Sequence, residues 1–274
     1  MASNISQYFK KPLIVGLHNS DIFYLRKRAN YARYMNIEKN INRIGFRSER
    51  IKNEYLSIYN GSKTNEDYFQ ILSGINNENI ISSEKLIKKI NNPTKTIIVV
   101  STLIPLKNVD TLIKAFAKFN KKYNDYTLKV VGDGPERDKL EKLVKHLNIT
   151  ENVYFTGQLD RSIVLELMEE SDIFAMVSSP ETFGLVYIEA MAKGCITIGS
   201  KGEGIDGVIK DGENGFLCMP KSVDELALTF EKIVNISYDD KMKIAQNAVN
   251  TAKSLSQESL SKKYIREITK SLIN

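Results

Sequence analysis

Between residues 94 and 252 short apolar runs alternate with amphipathic helical patterns, and that alternation restricts the fold more than any other feature of the chain. Runs at 96–101 (TIIVVS), 127–131 (TLKVV), 153–156 (VYFT), 173–177 (IFAMV) and 195–198 (CITI), and a weaker one at 215–218, are almost continuously apolar. Strands covered by helices on both faces have this composition. Helical periodicity fills the intervals at 109–122, 136–147, 162–170, 185–193 and 223–234. Turn formers fall at the joints: Gly132-Asp133-Gly134-Pro135, Gly157, Gly194, Asp211-Gly212 and Asn214-Gly215. Strand and helix in regular succession predict a doubly wound α/β sheet.

The residues before this block read differently. A strand is predicted at 12–17 (PLIVGL), a second at 42–46 and a helix at 48–57, while 73–79 and 91–94 are polar and rich in turn formers. The tail, 257–273, carries apolar residues at Leu260, Tyr264, Ile265, Ile268 and Leu272, the spacing of an amphipathic helix. The expected division is an abbreviated N-terminal α/β region with linker over 1–90, a C-terminal domain over 91–254, and a helix over 255–274 that packs back on the N-terminal region.

Bulk properties narrow the class. Hydrophobic residues at 42% and charged residues at 26% suit a globular protein. No apolar run approaches the roughly 18 residues that span a bilayer, and residues 1–8 lack the basic start and apolar core of a secretory signal. Cys195 and Cys218 lie in apolar segments, as reduced core thiols do. A cytoplasmic setting is expected.

Charge is unevenly placed. Residues 1–60 hold eleven bases against four acids, a balance of +7, so the other 28 bases and 29 acids net −1. Two readings stand: a solvated basic face, or attraction to anionic lipid headgroups or a phosphorylated acceptor at the inner face of a membrane. No nucleic-acid motif accompanies the charge, and no nucleic-acid partner is expected.

The stretch 178–194 (SSPETFGLVYIEAMAKG) carries the most chemistry. A strand ends near Ser178, a loop follows, and a helix starts near Gly184. Ligands of doubly wound sheets sit at the carboxyl ends of strands. A helix start there presents free N–H groups and partial positive charge to a phosphate, and Gly184 permits close backbone approach. Glu181 in the loop and Glu189 in the helix can accept hydrogen bonds from sugar hydroxyls. On spacing alone they read equally as a surface loop acid and a helix acid.

The same residues resemble a known family. Glu181 and Glu189 in ETFGLVYIEAMAKG are similar to the E-x7-E signature of family 4 retaining glycosyltransferases, which have the GT-B fold. The stretches 99–116 (VVSTLIPLKNVDTLIKAF), 128–143 (LKVVGDGPERDKLEKL), 152–159 (NVYFTGQL) and 202–217 (GEGIDGVIKDGENGFL) resemble the family's other units in the same order. The resemblance implies a Rossmann-like C-terminal domain that binds a nucleotide sugar, UDP- or GDP-linked, and a transfer that retains anomeric configuration. It implies that Glu181 contacts the donor sugar and that Glu189 holds the ribose hydroxyls. Backbone at Phe183, Gly184 and Leu185 would meet the diphosphate, Lys107 would neutralise it, and backbone at Gln158 and Leu159 would meet the base. His18, after the strand at 12–17, resembles the family's acceptor-side histidine. No metal ion and no further cofactor are implied.

Two departures stand out. The family's arginine before the lysine loop is Thr102 here, which removes one of two expected phosphate cations. Only 17 residues precede His18, so the N-terminal region reads as short beside the family: either the sequence is a piece of a longer chain, or a partner chain or a homo-oligomer completes it. The expected function is transfer of a sugar to a sugar or lipid-linked acceptor, in cell-surface polysaccharide or glycolipid synthesis. The alternative is a non-catalytic glycosyltransferase-like subunit that binds nucleotide sugar or completes a partner enzyme.

Overall fold

The structure is a computed structural model. It describes residues 2–273, except the side chains of 271–273, so the expected apolar contact of Leu272 lies outside the described residues. Two compact units divide the chain, one formed by 1–74 with 255–274 and the other by 75–254.

The first unit opens with helix α1 (Ala2–Phe9), strand β1 (Leu13–Leu17), helices α2 (Asn19–Leu25) and α3 (Arg28–Glu38), strand β2 (Ile41–Phe46), helix α4 (Glu49–Ile58) and strand β3 (Tyr68–Gln70). Its three strands are parallel, in the order β1-β2-β3. Ile22, Ile44, Phe46, Ile51 and Tyr55 form a fully enclosed core around β2. Ser48 caps α4, its hydroxyl accepting from the Ile51 N–H, which fixes where the chain leaves β2.

The second unit holds helix α5 (Ser83–Asn91), strand β4 (Thr96–Val100), helix α6 (Val109–Asn120), strand β5 (Thr127–Val131), helix α7 (Arg137–His146), strand β6 (Val153–Gly157), helix α8 (Arg161–Glu170) and strand β7 (Ile173–Ala175). It continues through helix α9 (Leu185–Ala192), strands β8 (Ile196–Ser200) and β9 (Phe216–Cys218), and helices α10 (Val223–Asn235) and α11 (Tyr238–Ser254). The six strands are all parallel, in the order β6-β5-β4-β7-β8-β9. The chain builds outward from β4 to β6, then returns to lay β7 on the other side of β4. That reversal opens a crevice at the carboxyl ends of β4 and β7, where doubly wound sheets bind ligands. Ile97, Ile98 and Val99 in β4 are buried, as a strand covered on both faces requires. Phe119 of α6 packs edge-on to Phe230 of α10 at 5.6 Å.

The boundary between the units falls at Gly74/Ile75 rather than at residue 90. The reason is α5, a helix in a stretch that the sequence assigns to the N-terminal region and its linker. Its Lys89 Nζ donates to the carbonyls of Met168 at 3.0 Å and Lys193 at 2.8 Å, closing the last turn of α8 and the end of α9. Both cysteines are buried and free of disulfide linkage.

Helix α12 (Gln257–Ile273) returns to the first unit. Tyr264 stacks on Phe69, with ring centroids 6.1 Å apart. Glu267 Oε2 accepts from Arg43 at 2.7 Å, and the guanidinium lies over the Phe69 ring at 4.9 Å.

Candidate functional site

The loop after β4 contains a single 3-10 turn, Pro105–Lys107, and ends at Asn108, whose φ of 48° is left-handed. Asparagine tolerates that conformation, and its amide also ties the loop down, with Nδ2 donating to the Val177 carbonyl at 2.8 Å. The Ser179 N–H donates to the Leu106 carbonyl at 2.9 Å. These bonds lace the loop after β4 to the loop after β7, across the two strands that flank the crevice.

That lacing brings Lys107 to Glu181. Lys107 Nζ donates to Glu181 Oε2 at 2.7 Å, and the two side chains keep 23% and 11% of their exposure. Ser178 Oγ donates to the same oxygen at 3.0 Å, and the Thr182 N–H to Oε1 at 3.1 Å. Beneath the loop, Tyr187 is fully buried and donates to the Met176 carbonyl at 2.9 Å. Burial pushes its phenol up, out of the titrating range of the site.

A second acid holds the loop from below. Glu203, in the connection between β8 and β9, accepts from Ser179 Oγ and from the Glu181 N–H, both at 2.7 Å. The next N–H, of Gly204, donates to the Glu181 carbonyl at 3.0 Å. Gly204 is needed there because a Cβ would sit 2.0 Å from the Thr182 carbonyl oxygen. Gly184 precedes α9 with φ of 75°, a conformation that favours glycine. Phe183 is buried, and Leu185 begins the helix.

Glu189 lies in α9, with its side chain 13% exposed. Arg161, the first residue of α8, donates to its Oε1 at 2.6 Å. Burial pushes the Glu189 carboxyl up, and Arg161 opposes the shift without cancelling it. Gln158 is exposed and Leu159 partly exposed where β6 leads into α8.

Thr102 is exposed in the loop after β4. Beside it the β5 loop approaches so closely that a Cβ on Gly132 would meet the Ser101 carbonyl oxygen at 2.0 Å. Among the described residues no three His, Cys, Asp or Glu side chains cluster closely enough to hold a metal ion.

The second unit therefore collects Thr102, Lys107, Gln158, Leu159, Glu181, Phe183, Gly184, Leu185 and Glu189 at the carboxyl ends of its strands. His18 belongs to the first unit, exposed at the start of α2, where its N–H donates to Asp21 Oδ2 at 2.7 Å. Sequence reasoning missed Glu203 and Arg161. Glu203 stands between two glycines in GEGID, a signal of close packing without an assignable partner. Arg161 carried no signal.

Known proteins match this chain in both sequence and fold. The family model described as "Glycosyl transferases group 1" matches residues 82–251. N-acetyl-alpha-D-glucosaminyl L-malate synthase of Bacillus anthracis is 41% identical over 129 residues, 47% of this chain and 33% of that protein. The chain spans a third to a half of the length of the curated relatives it matches first. Among solved structures, Anabaena HepE in complex with UDP superposes with a TM-score of 0.81 at 23% identity, covering 98% of this chain and 75% of that one. The C-terminal domain of the group 1 glycosyl transferase LpcC from Francisella tularensis superposes with a TM-score of 0.58 at 28% identity, covering 66% of this chain and 97% of that one. The α/β architecture with parallel sheets is that of GT-B glycosyltransferase structures. With the family model covering more than half of the sequence, the chain belongs to the glycosyl transferases group 1 family.

Proposed function

We propose that the chain binds a nucleoside-diphosphate sugar, UDP- or GDP-linked, and transfers its sugar to an acceptor with retention of anomeric configuration. The observation that carries this reading is the Lys107–Glu181 pair beside the start of α9, at the crevice between β4 and β7. A departing diphosphate gathers negative charge, and stabilising that charge lowers the barrier. Lys107 and the N–H groups from Phe183 to Leu185 supply positive potential for it. Glu181 meets the sugar, Glu189 the ribose, and the backbone at Gln158 and Leu159 the base. His18 orients the acceptor.

The acceptor we propose is a sugar or a lipid-linked sugar, in cell-surface polysaccharide or glycolipid synthesis. Relatives bear names of both kinds, among them a lipopolysaccharide core glycosyltransferase of Rhizobium meliloti and an alpha-monoglucosyldiacylglycerol synthase of Acholeplasma laidlawii. No helix among the described residues is long and apolar enough to cross a membrane. We propose peripheral contact with an anionic surface through the basic N-terminal segment.

The test is release of UDP or GDP from a panel of nucleotide sugars, with and without an acceptor extract. Acceptor-dependent release supports transfer. Tight nucleotide binding with no release supports the non-catalytic subunit, a reading favoured by Thr102 in the place of a phosphate cation.

A further inference from the structure

We infer that Arg161 is the positioning residue of the ribose site: by taking one oxygen of Glu189 it fixes the carboxylate and presents the other oxygen to the ribose diol. The inference rests on the reading of Glu189 as the ribose acid, and it concerns a residue to which that reading gives no role.

Three observations carry it. Arg161 Nη2 engages Oε1 of Glu189 at 2.6 Å, while Oε2 takes no bond from any described residue. A carboxylate has room for further hydrogen bonds on that second oxygen. The other cation close by in sequence is committed elsewhere: Lys193, one turn along α9, donates to Glu169 of α8 at 2.8 Å. Arg161 itself opens α8 directly after Gln158, Leu159 and Asp160, so the segment proposed to meet the base also delivers the guanidinium to the ribose acid.

The arrangement has a physical purpose. A carboxylate almost removed from solvent is drawn toward its neutral form, and a long side chain turns about its bonds unless something holds it. A charge-assisted hydrogen bond to a guanidinium opposes both. The guanidinium is 57% exposed, so it keeps its own hydration while it holds the buried partner.

The experiment measures dissociation constants of UDP, GDP and their 2′-deoxy counterparts for the wild-type chain, Arg161→Gln, Arg161→Lys and Glu189→Gln, with thermal melting of each as a check on folding. In the wild type, ribonucleotide should bind more tightly than deoxyribonucleotide. Arg161→Gln should weaken UDP or GDP by about ten- to a hundredfold, the worth of one charge-assisted hydrogen bond, and bring the ribo-to-deoxy ratio close to one. Arg161→Lys should restore part of both. A merely structural role would lower the melting temperature and leave the ratio alone.

If Arg161→Gln keeps the wild-type ratio, the inference fails. It fails also if Arg161→Gln binds more tightly than wild type, because the arginine is then a competitor for Glu189. A wild-type chain that binds neither nucleotide, or a Glu189→Gln chain that discriminates as the wild type does, overturns the ribose reading itself and this inference with it.

Discussion

Lys107 and Glu181 are joined at 2.7 Å, so the cation assigned to the diphosphate and the acid assigned to the sugar neutralise each other before any ligand arrives. A donor entering the crevice meets a dipole rather than two bare charges. On the proposed reading its phosphates would draw Lys107 and its hydroxyls would take up Glu181, so that the ion pair would be exchanged for two new sets of bonds. Lys107→Ala should therefore do two things. It should cut nucleoside diphosphate affinity by about ten- to a hundredfold. It should also lower stability by about 1–3 kcal/mol, since Glu181 is left buried with hydrogen bonds but no cation. Calorimetric titration and denaturant melts measure both. Thr102→Arg should leave diphosphate affinity unchanged or raise it.

The two acids should separate by what they affect. Glu181→Gln is expected to depress turnover with little change in nucleotide affinity. Glu189→Gln is expected to weaken nucleotide binding by about one decade or more. Equal nucleotide affinity in Glu189→Gln and the parent chain would remove the ribose assignment.

Gly204 offers a test of the clasp beneath the Glu181 loop. A methyl group there would meet the Thr182 carbonyl oxygen at 2.0 Å, against backbone that cannot turn aside. Gly204→Ala should cost about 1–3 kcal/mol and should reduce turnover more than it reduces nucleotide binding, because the displaced segment carries Glu181. Glu203→Gln keeps one acceptor oxygen for the Glu181 N–H and turns its amide NH2 to donate to the Ser179 hydroxyl, and should be milder than Glu203→Ala.

Acidity should act on Glu189. Burial raises its carboxyl above the 4.5 of an ordinary glutamate, against the pull of Arg161. The ionised form is the one proposed to accept from ribose hydroxyls, so affinity should fall as pH drops through the raised value, beginning above pH 4.5. Stability follows the opposite course. A group with a raised folded value favours the fold below its unfolded value, and that contribution is lost as pH rises through the folded one. At pH near 7 Glu189→Gln should thus melt no lower than the parent while binding nucleotide more weakly. Affinity and melting profiles from pH 4 to 8 would show both trends.

The basic segment should meet membranes through one corner of the first unit. Phe23 and Tyr24 are exposed at 71% and 52%, and Arg26, Lys27 and Arg28 follow them directly, with Lys27 Nζ 6.0 Å from the Phe23 ring. Binding to anionic vesicles should weaken as salt rises, since surface charges are screened beyond roughly 8 Å at physiological salt. Phe23→Ser should weaken the salt-resistant part. Equal binding to neutral and anionic vesicles at all salt concentrations would leave the corner a solvated face.

The central strands were legible because burial on both faces leaves only apolar residues acceptable, as in TIIVV of β4. Less distinct helices were not. α11 buries Ala245, Ala248 and Ala252, whose small side chains make a weak periodic signal. α5 buries fully only Leu86 among lysines and asparagines, and α3 buries only Tyr34 and Glu38. Within the site, Lys107, Glu181 and Glu189 were visible as residues in a motif. Their partners were not, because Glu203 reaches the Glu181 loop from β8, the strand beside β7 in the sheet, and Arg161 reaches Glu189 from α8, outside the motif. Those neighbours are set by strand order, which no local stretch encodes.

The second unit is one unbroken stretch of chain, whereas the first is interrupted and resumes only at residue 255. On the ribosome the two therefore finish at different times. The sheet from β4 to β9 and its helices have all been synthesised before α12 is made, and domains generally fold as units during synthesis. The first unit must wait, with the Phe69 ring and the Arg43 guanidinium uncovered until Tyr264 and Glu267 reach them. A released chain that ends before residue 255 would accordingly hold a complete second unit and an unfinished first one, with the Phe69 and Arg43 surface left bare.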